Sequence, residues 1–296
     1  MKRSGFVAIA GQPNVGKSTM LNGFLMEKVA IISPRPETTR DIIKGIYTED
    51  SCQIVFLDTP GIHKPHDLLG KVMLSRAQSS LMDSDIILFV TEKRLAFNDN
   101  DMKILDRLPE KKEGKTVLLV INKIDRVRDK SLILPMMDKA QKLYPFDEIV
   151  PVCAKKRSDL VYLLKIIKRY LPEGEFLYPE DELTDRGTSF LIQEIVREKV
   201  LLLAREEVPH SVAVVVDELK EEDGVLTAYT TVFAERAGQK AIIIGKNGEM
   251  IKKIRRYAET DIQNLFGRKI ALDLWVKVHE KWKKDPHALR EMGYTD

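Results

Sequence analysis

The chain has little cysteine: only Cys52 and Cys153 among 296 residues. Both sit in apolar, strand-like stretches without metal-ligand spacing. That excludes a disulfide framework and a cysteine metal site, and leaves two reduced core thiols. There is no run of about 18 apolar residues, the length a membrane-spanning helix needs. The opening apolar stretch, residues 6–10, is shorter than a secretory h-region and has strand character. The expected location is the cytoplasm. An excess of charge is also lacking, since 48 Lys and Arg oppose 45 Asp and Glu for a net +3. Bulk charge therefore gives no argument for nucleic acid, and only its distribution can. Internal repeats and low-complexity tracts are absent. What remains is a globular composition, 44% hydrophobic and 31% charged, in a length that suits two domains.

Apolar runs at 6–10, 52–57, 86–90, 116–121 and 149–152 alternate with helical patterns at 17–26, 99–108, 132–143 and 159–171. Continuous apolar strands between helices predict an α/β domain with a mostly parallel sheet covered on both faces. Residues 42–48 are separated from 52–57 only by Glu49-Asp50-Ser51, which predicts a hairpin and one antiparallel strand. This domain is expected over residues 1–172. Residues 173–186 are acidic, carry Pro179, and read as a linker. A second, α+β domain is expected over 187–296. Its pattern is a helix at 187–205, strands at 211–219 and 225–233 joined at Asp223-Gly224, a glycine loop, a basic helix, and a strand at 270–278.

Gly11-Gln12-Pro13-Asn14-Val15-Gly16-Lys17-Ser18 matches G-x-x-x-x-G-K-[ST], directly after the first strand and opening a helix. Gly11, Asn14, Val15, Gly16, Lys17, Ser18 and Thr19 are assigned to the phosphates, which backbone N–H groups at a helix N-terminus would cradle. Lys17 would neutralise the β- and γ-phosphates, and Ser18 would ligate Mg²⁺. Asp58-Thr59-Pro60-Gly61 ends the second apolar strand. Asp58 there can reach Mg²⁺ through water, and the Gly61 N–H can approach the γ-phosphate. Asn122-Lys123-Ile124-Asp125 ends another strand. The Asp125 carboxylate can accept from guanine N1–H and its amino group, whereas adenine would leave it unpaired. The site therefore reads as one for GTP and GDP.

These motifs, in this order and each at a strand's end, resemble the GTPase superfamily of translation factors and Ras-like proteins. The resemblance implies that Pro36-Glu37-Thr38-Thr39-Arg40-Asp41 is a first switch whose threonine binds Mg²⁺ and senses the γ-phosphate. Thr39 is the choice, with Thr38 the adjacent alternative. The second switch would lie at 58–61. It also implies that Cys153-Ala154-Lys155 is the last guanine loop, with cysteine where serine is usual. Ile62 stands where Ras-like enzymes carry a water-orienting glutamine, so slow intrinsic hydrolysis is expected. The P-loop sequence, Thr38-Thr39-Arg40-Asp41 and Ile62 together resemble the branch that holds the Era family. In that branch an asparagine at the Asn14 position can coordinate K⁺; the bland reading of Asn14 is a loop-stabilising amide. His63 and His66 read as exposed switch residues without a catalytic role.

Ile244-Gly245-Lys246-Asn247-Gly248 contains G-x-x-G, a loop that grips a sugar-phosphate backbone in KH modules. Alone it is often only a turn. Here Ile251, Lys252, Lys253, Arg255 and Arg256 follow on one helix, with Arg268 and Lys269 beyond, which is the expected footprint of a phosphate-tracking surface. RNA contacts are assigned to Ile244, Gly245, Lys246, Asn247, Gly248, Ile251, Lys252 and Arg255. Ile243, Ile244 and Ile251 fit either a base-binding groove or a core. The element order resembles a type II KH fold, and the tail around Trp275, Trp282 and Tyr294 resembles the Era family C-terminus. That family resemblance spans the chain. It implies binding to the 3′ end of 16S rRNA, action in 30S subunit assembly, and peripheral contact with the inner membrane. A monomer is expected. The alternative is a membrane-surface GTPase of slow turnover, supported only by basic residues such as Lys277, Lys281, Lys283 and Lys284.

Overall fold

The computed structural model describes residues 1–35, 37–92, 97–108, 114–204, 208 and 211–295. Pro36 and Arg205, which fall in the predicted switch and helix, lie outside the described residues. The chain divides into two units. The first comprises Met1–Ala30, Thr39–Lys64 and Met73–Asp185, and the second Ile31–Thr38, Pro65–Val72 and Arg186–Asp296.

In the first unit the apolar runs form β1 (Arg3–Gly11), β2 (Ile43–Glu49), β3 (Cys52–Asp58), β4 (Ile86–Glu92), β5 (Thr116–Asn122) and β6 (Glu148–Pro151). They make one sheet in the order β2-β3-β1-β4-β5-β6. Only β2 is antiparallel, paired with β3 through the predicted hairpin. Between the strands lie α1 (Lys17–Leu25), α3 (Asp99–Leu105) and α4 (Ile133–Leu143), and α5 (Arg157–Tyr170) follows β6. One sheet face packs Ala8, Phe89, Leu119 and Ile121 against Ile104 of α3 and Met136 of α4. Phe24 of α1 stacks on Phe56 of β3 with ring centroids 4.5 Å apart. Because β1, β3, β4, β5 and β6 are parallel, the ends of β1, β3 and β5 share one edge of the sheet. Such an edge is where open α/β sheets bind ligands.

A further helix, α2 (Leu68–Asp83), was not legible from periodicity. It carries Gly70 and the weak helix formers Ser75, Ser79 and Ser80. The hydroxyls of Ser79 and Ser80 bond back to Ser75 and Arg76 one turn earlier. Ala77 and Leu81 join the core and hold the helix in place. The acidic stretch read as a linker is strapped to the first unit as far as Asp185. The fully buried Gln53 accepts from the Leu177 and Tyr178 N–H groups at 2.7 and 2.9 Å and donates to the Tyr178 carbonyl at 2.9 Å. The Ile46 N–H reaches the Leu183 carbonyl, and Lys44 pairs with Asp185 at 2.6 Å.

In the second unit the order is α6 (Thr188–Leu203), β7 (Ala213–Glu222), β8 (Val225–Ala234), α7 (Ala237–Ile244), α8 (Glu249–Phe266), β9 (Ile270–Val278) and α9 (Pro286–Glu291). The sheet runs β7-β8-β9, with β7 and β8 antiparallel and β8 and β9 parallel. Asp223 and Gly224 both take positive φ in the β7–β8 turn, as a two-residue hairpin requires. Ile192, Val196 and Val200 of α6 meet Ile254, Ala258 and Ile262 of α8 over Ala228 and Val232. Trp282 is buried, donates to the Ser211 carbonyl at 3.1 Å and stacks on Tyr294.

Candidate functional site

Gly11 ends β1 and Gly16 precedes α1. The loop between them passes close to other groups. A Cβ on Gly11 would lie 2.2 Å from the Val90 carbonyl oxygen, and one on Gly16 2.4 Å from the Asn122 carboxamide. Lys17 is buried, and its ammonium donates to the Gly11 and Gln12 carbonyls at 3.2 and 3.0 Å. Burial lowers its pKa to about 8, with nearby Asp58 opposing the shift. Val15 is buried, Ser18 and Thr19 are half-buried, and the Asn14 side chain is exposed on a residue with φ 63°.

Asp58 is fully buried at the tip of β3. Its Oδ2 accepts from the Ser18 hydroxyl at 2.7 Å and from the Thr39 hydroxyl at 3.3 Å, and those two hydroxyls lie 3.0 Å apart. Its Oδ1 is buried without a hydrogen-bond partner. Desolvation pushes the carboxyl up to about 6, against the pull of Lys17, Ser18 and Thr39. The three residues assigned to Mg²⁺ from sequence therefore meet. Their donor set is all oxygen, with one buried carboxylate oxygen unpartnered, which fits a hard divalent cation. Thr38 is placed differently. Its hydroxyl contacts Ser33 and the Arg35 carbonyl, within the second unit.

The rest of the second motif is partly structural. The buried Thr59 hydroxyl donates to the Ile9 carbonyl at 2.9 Å, tying the motif to β1. Pro60 is buried. Gly61 sits so close to the P-loop that a Cβ would lie 2.8 Å from the Pro13 nitrogen. The Ile62 side chain is buried in the core, and its N–H donates to the Gly11 carbonyl. His63 Nδ1 lies 2.8 Å from the Gly61 carbonyl oxygen, and His66 is exposed.

Asn122 braces two loops. Its Nδ2 donates to the Val15 carbonyl at 2.8 Å, and its Oδ1 accepts from the Ala154 N–H at 2.9 Å. Lys123 donates to the Asn14 carbonyl at 2.5 Å and pairs with Glu92. Asp125 is exposed, and a hydrogen bond with Cys153 holds its carboxyl below the usual range. The cysteine thus supports this loop where a serine hydroxyl is usual. Both cysteines are buried free thiols. The Cys153 N–H is held by Asp159 at 2.8 Å, and Lys155 is exposed.

Some site residues carry no motif of their own. Gln12 donates to Asn98 at 2.8 Å and to Asp101 at 2.5 Å, anchoring the P-loop on the N-terminus of α3. A signal for this clasp exists, since Asn98 and Asp101 form a capping box at that end. Glu92 carries no local signal, because only strand pairing brings it beside Lys123.

In the second unit, Gly245, Asn247 and Gly248 all take positive φ between α7 and α8. Lys246 and Asn247 are exposed, and Ile244 is half-buried. On α8, Lys252, Lys253, Arg255 and Arg256 are exposed while Ile254 and Ala258 are buried. Helical period thus separates a basic face from a core face. Ile243 is fully buried in the core, so of the three isoleucines it belongs to the core. Ile251 is partly buried against that core.

A family model described as 50S ribosome-binding GTPase matches residues 6–123, and a KH domain model matches residues 207–283. GTPase Era of Syntrophus aciditrophicus is 44% identical over 298 residues, covering 100% of this chain and 96% of the relative. GTPase Era of Clostridium tetani is 44% identical, with 99% of each chain covered. A solved structure of an Aquifex aeolicus Era variant bound to GDP.AlF4- matches with TM-score 0.95, 42% identity, 99% of this chain and 100% of that one. A structure of Era in complex with MgGDPNP and nucleotides 1506-1542 of 16S ribosomal RNA matches with TM-score 0.96, 42% identity and all of both chains.

Proposed function

The chain belongs to the GTPase Era family, and from that premise we propose a GTP-hydrolysing switch that binds single-stranded RNA at the 3′ end of 16S rRNA and acts in assembly of the 30S subunit. The observation that carries the nucleotide half is the meeting of Ser18, Thr39 and buried Asp58, with one carboxylate oxygen unpartnered. Ser18 and Thr39 would hold Mg²⁺ directly, and Asp58 through water. Bound there, Mg²⁺ supplies charge neutralisation between the β- and γ-phosphates.

The protein's own groups do the rest. Lys17 carries its charge to the phosphates by exchanging the Gly11 and Gln12 carbonyls for phosphate oxygens. Gly61 brings a backbone N–H beside the P-loop. Asp125 selects guanine, because only guanine offers it two donors. Ala154 is assigned to guanine O6, and since its N–H already donates to Asn122, that contact would be a shared, bifurcated bond. Ile62 is buried among apolar groups and cannot orient water, which supports slow intrinsic hydrolysis. GTP with Mg²⁺ would order the two switches around Thr39 and Gly61, and hydrolysis would release them.

Asn14 supports a finer reading. Its backbone is left-handed and its amide is exposed at the phosphate loop, where a coordinated K⁺ would stabilise charge developing in the transition state. Turnover measured in equal KCl and NaCl tests it. A fall in NaCl that Asn14→Ala abolishes fits the reading, and equal rates in both salts remove it.

The RNA half rests on the 245–248 loop, with positive φ at Gly245, Asn247 and Gly248, and on the basic face of α8, a close-approach loop beside a phosphate-tracking surface. No helix among the described residues is long and apolar enough to cross a membrane. The test of the nucleotide site is GTP hydrolysis by the purified chain, followed as phosphate release. Activity that needs Mg²⁺ and is lost in Asp58→Asn and Lys17→Ala fits it. Activity indifferent to both substitutions overturns the site.

A further inference from the structure

Residues Ile31–Thr38 belong by their contacts to the second unit. Two adjacent side chains of α6 hold the two ends of this segment. Arg197 is 1% exposed, yet it spends its guanidinium on a loop: Nη2 donates to the Thr38 carbonyl at 2.6 Å. Glu194 holds the same guanidinium, accepting from Nε at 2.8 Å and from Nη2 at 2.6 Å. Glu198, 2% exposed, accepts from the Ile32 N–H at 2.9 Å. Between those anchors the segment closes on itself, with the Ser33 and Thr38 hydroxyls 2.8 Å apart. The second oxygen of Glu198 pairs with Lys199 at 2.9 Å, and Lys199 also pairs with Asp261 of α8. A polar chain therefore runs from Asp261 of α8, the helix that carries Lys252 and Arg255, through Lys199 and Glu198 to residue 32, while Arg197 on the same helix α6 holds residue 38.

Burying these charges is costly, and apolar residues of similar size would pack a helix at least as well. The cost gains meaning from the neighbour of Thr38 in the chain. That neighbour is Thr39, whose hydroxyl meets Ser18 and Asp58. A fixed Thr38 carbonyl restricts where Thr39 can stand, because one peptide plane separates them. We propose that Arg197 and Glu198 are positioning residues for Thr39, setting the free energy with which Thr39 engages the triphosphate state and linking it to α8 through Lys199 and Asp261. The inference rests on the reading of Thr39 as the Mg²⁺ and γ-phosphate sensor. By linkage, RNA held on α8 and GTP held by Thr39 then favour each other through α6.

The test is a set of equilibrium titrations on the full chain. A fluorescent non-hydrolysable GTP analogue with Mg²⁺ and fluorescent GDP are each titrated with and without single-stranded RNA of the 16S 3′ end. Arg197→Met removes the bond with little change in volume. The expected result is about tenfold weaker analogue binding with GDP affinity unchanged, and loss of the RNA-dependent gain in analogue affinity. Arg197→Lys, which can still reach the Thr38 carbonyl, recovers part of both. Glu198→Ala reproduces the defect, whereas Glu198→Gln keeps an acceptor for the Ile32 N–H, and so the analogue affinity, but turns its NH2 toward Lys199 and loses the RNA-dependent gain. A purely structural role would weaken both nucleotides and RNA together, and that result overturns the proposal. Thr39→Ala separates the two claims. If it loses analogue preference while Arg197→Met and Glu198→Ala keep it, Thr39 senses GTP without α6. If Thr39→Ala itself keeps the preference, the sensor reading fails, and the proposal with it.

Discussion

Asn122 donates to the Val15 carbonyl at 2.8 Å across 107 residues of sequence. The other end of the same carboxamide accepts from Ala154. One buried side chain therefore sets the distance between the phosphate loop and the guanine loop. Asn122→Ala leaves a carbonyl and an N–H unsatisfied at about 1–3 kcal/mol each. GTP and GDP affinity should both fall about 10- to 100-fold, with their ratio unchanged. Titration with fluorescent nucleotides checks this, and an effect on GTP alone would refute the bracing role.

Asp125 is exposed and ionised, ready to accept two donors from guanine. Asp125→Asn replaces one acceptor with an N–H donor. Guanine nucleotide affinity should drop at least about 100-fold. Xanthine nucleotides, which carry a carbonyl where guanine carries an amine, should gain affinity. Competition binding with GDP, XDP and ADP reads the change, and retained GDP preference would contradict the assignment.

How much of the fold and site is legible in the sequence depends on range. Gly11–Ser18, Asp58 and Asn122–Asp125 announce themselves because each is a short motif at a strand's end, and parallel strands bring their ends to one edge. The basic face of α8 is legible because Lys252 and Arg255 stay on one side of a 3.6-residue period. The clasp of Gln12 on Asn98 and Asp101, and the pairing of Glu92 with Lys123, are not legible. They depend on which strands are neighbours, which no local pattern states. The strap at 173–185 reads as a linker for a similar reason. Its composition is that of a loop, and its order comes from one buried residue far away, Gln53. The helix α2 is hidden because its serines and Gly70 weaken the local signal that Ala77 and Leu81 restore by packing.

Gln53 is fully buried and makes three bonds to Leu177 and Tyr178. Gln53→Leu should release the strap at a cost of about 1–3 kcal/mol. Urea unfolding should show the loss, and limited proteolysis should gain a cut within residues 173–185. Nucleotide affinity should stay as in the wild type. An uncut strap would show that Gln53 is not its anchor.

Gly248 and Gly245 differ in what a side chain would meet. A Cβ on Gly245 would lie 2.6 Å from that of Met250, whereas one on Gly248 meets nothing nearer than 3.9 Å. Gly248→Asp therefore costs only backbone strain, about 1–2 kcal/mol, while it places a carboxylate where a phosphate should pass. RNA binding should be lost, with nucleotide binding intact. Lys252→Ala and Arg255→Ala should each lower the slope of log affinity against log salt by about 0.7. Unchanged slopes would move the RNA path off this face of α8.

A nucleotide-controlled RNA switch must bind RNA with an affinity that depends on the nucleotide it holds. A labelled single-stranded RNA of the 16S 3′ end is titrated with the wild-type chain and with Gly248→Asp. Each titration is run with a non-hydrolysable GTP analogue and with GDP. Binding should be tighter with the analogue than with GDP, and lost in both states for Gly248→Asp. Equal affinity in the two nucleotide states, or binding that survives Gly248→Asp, would contradict such a switch.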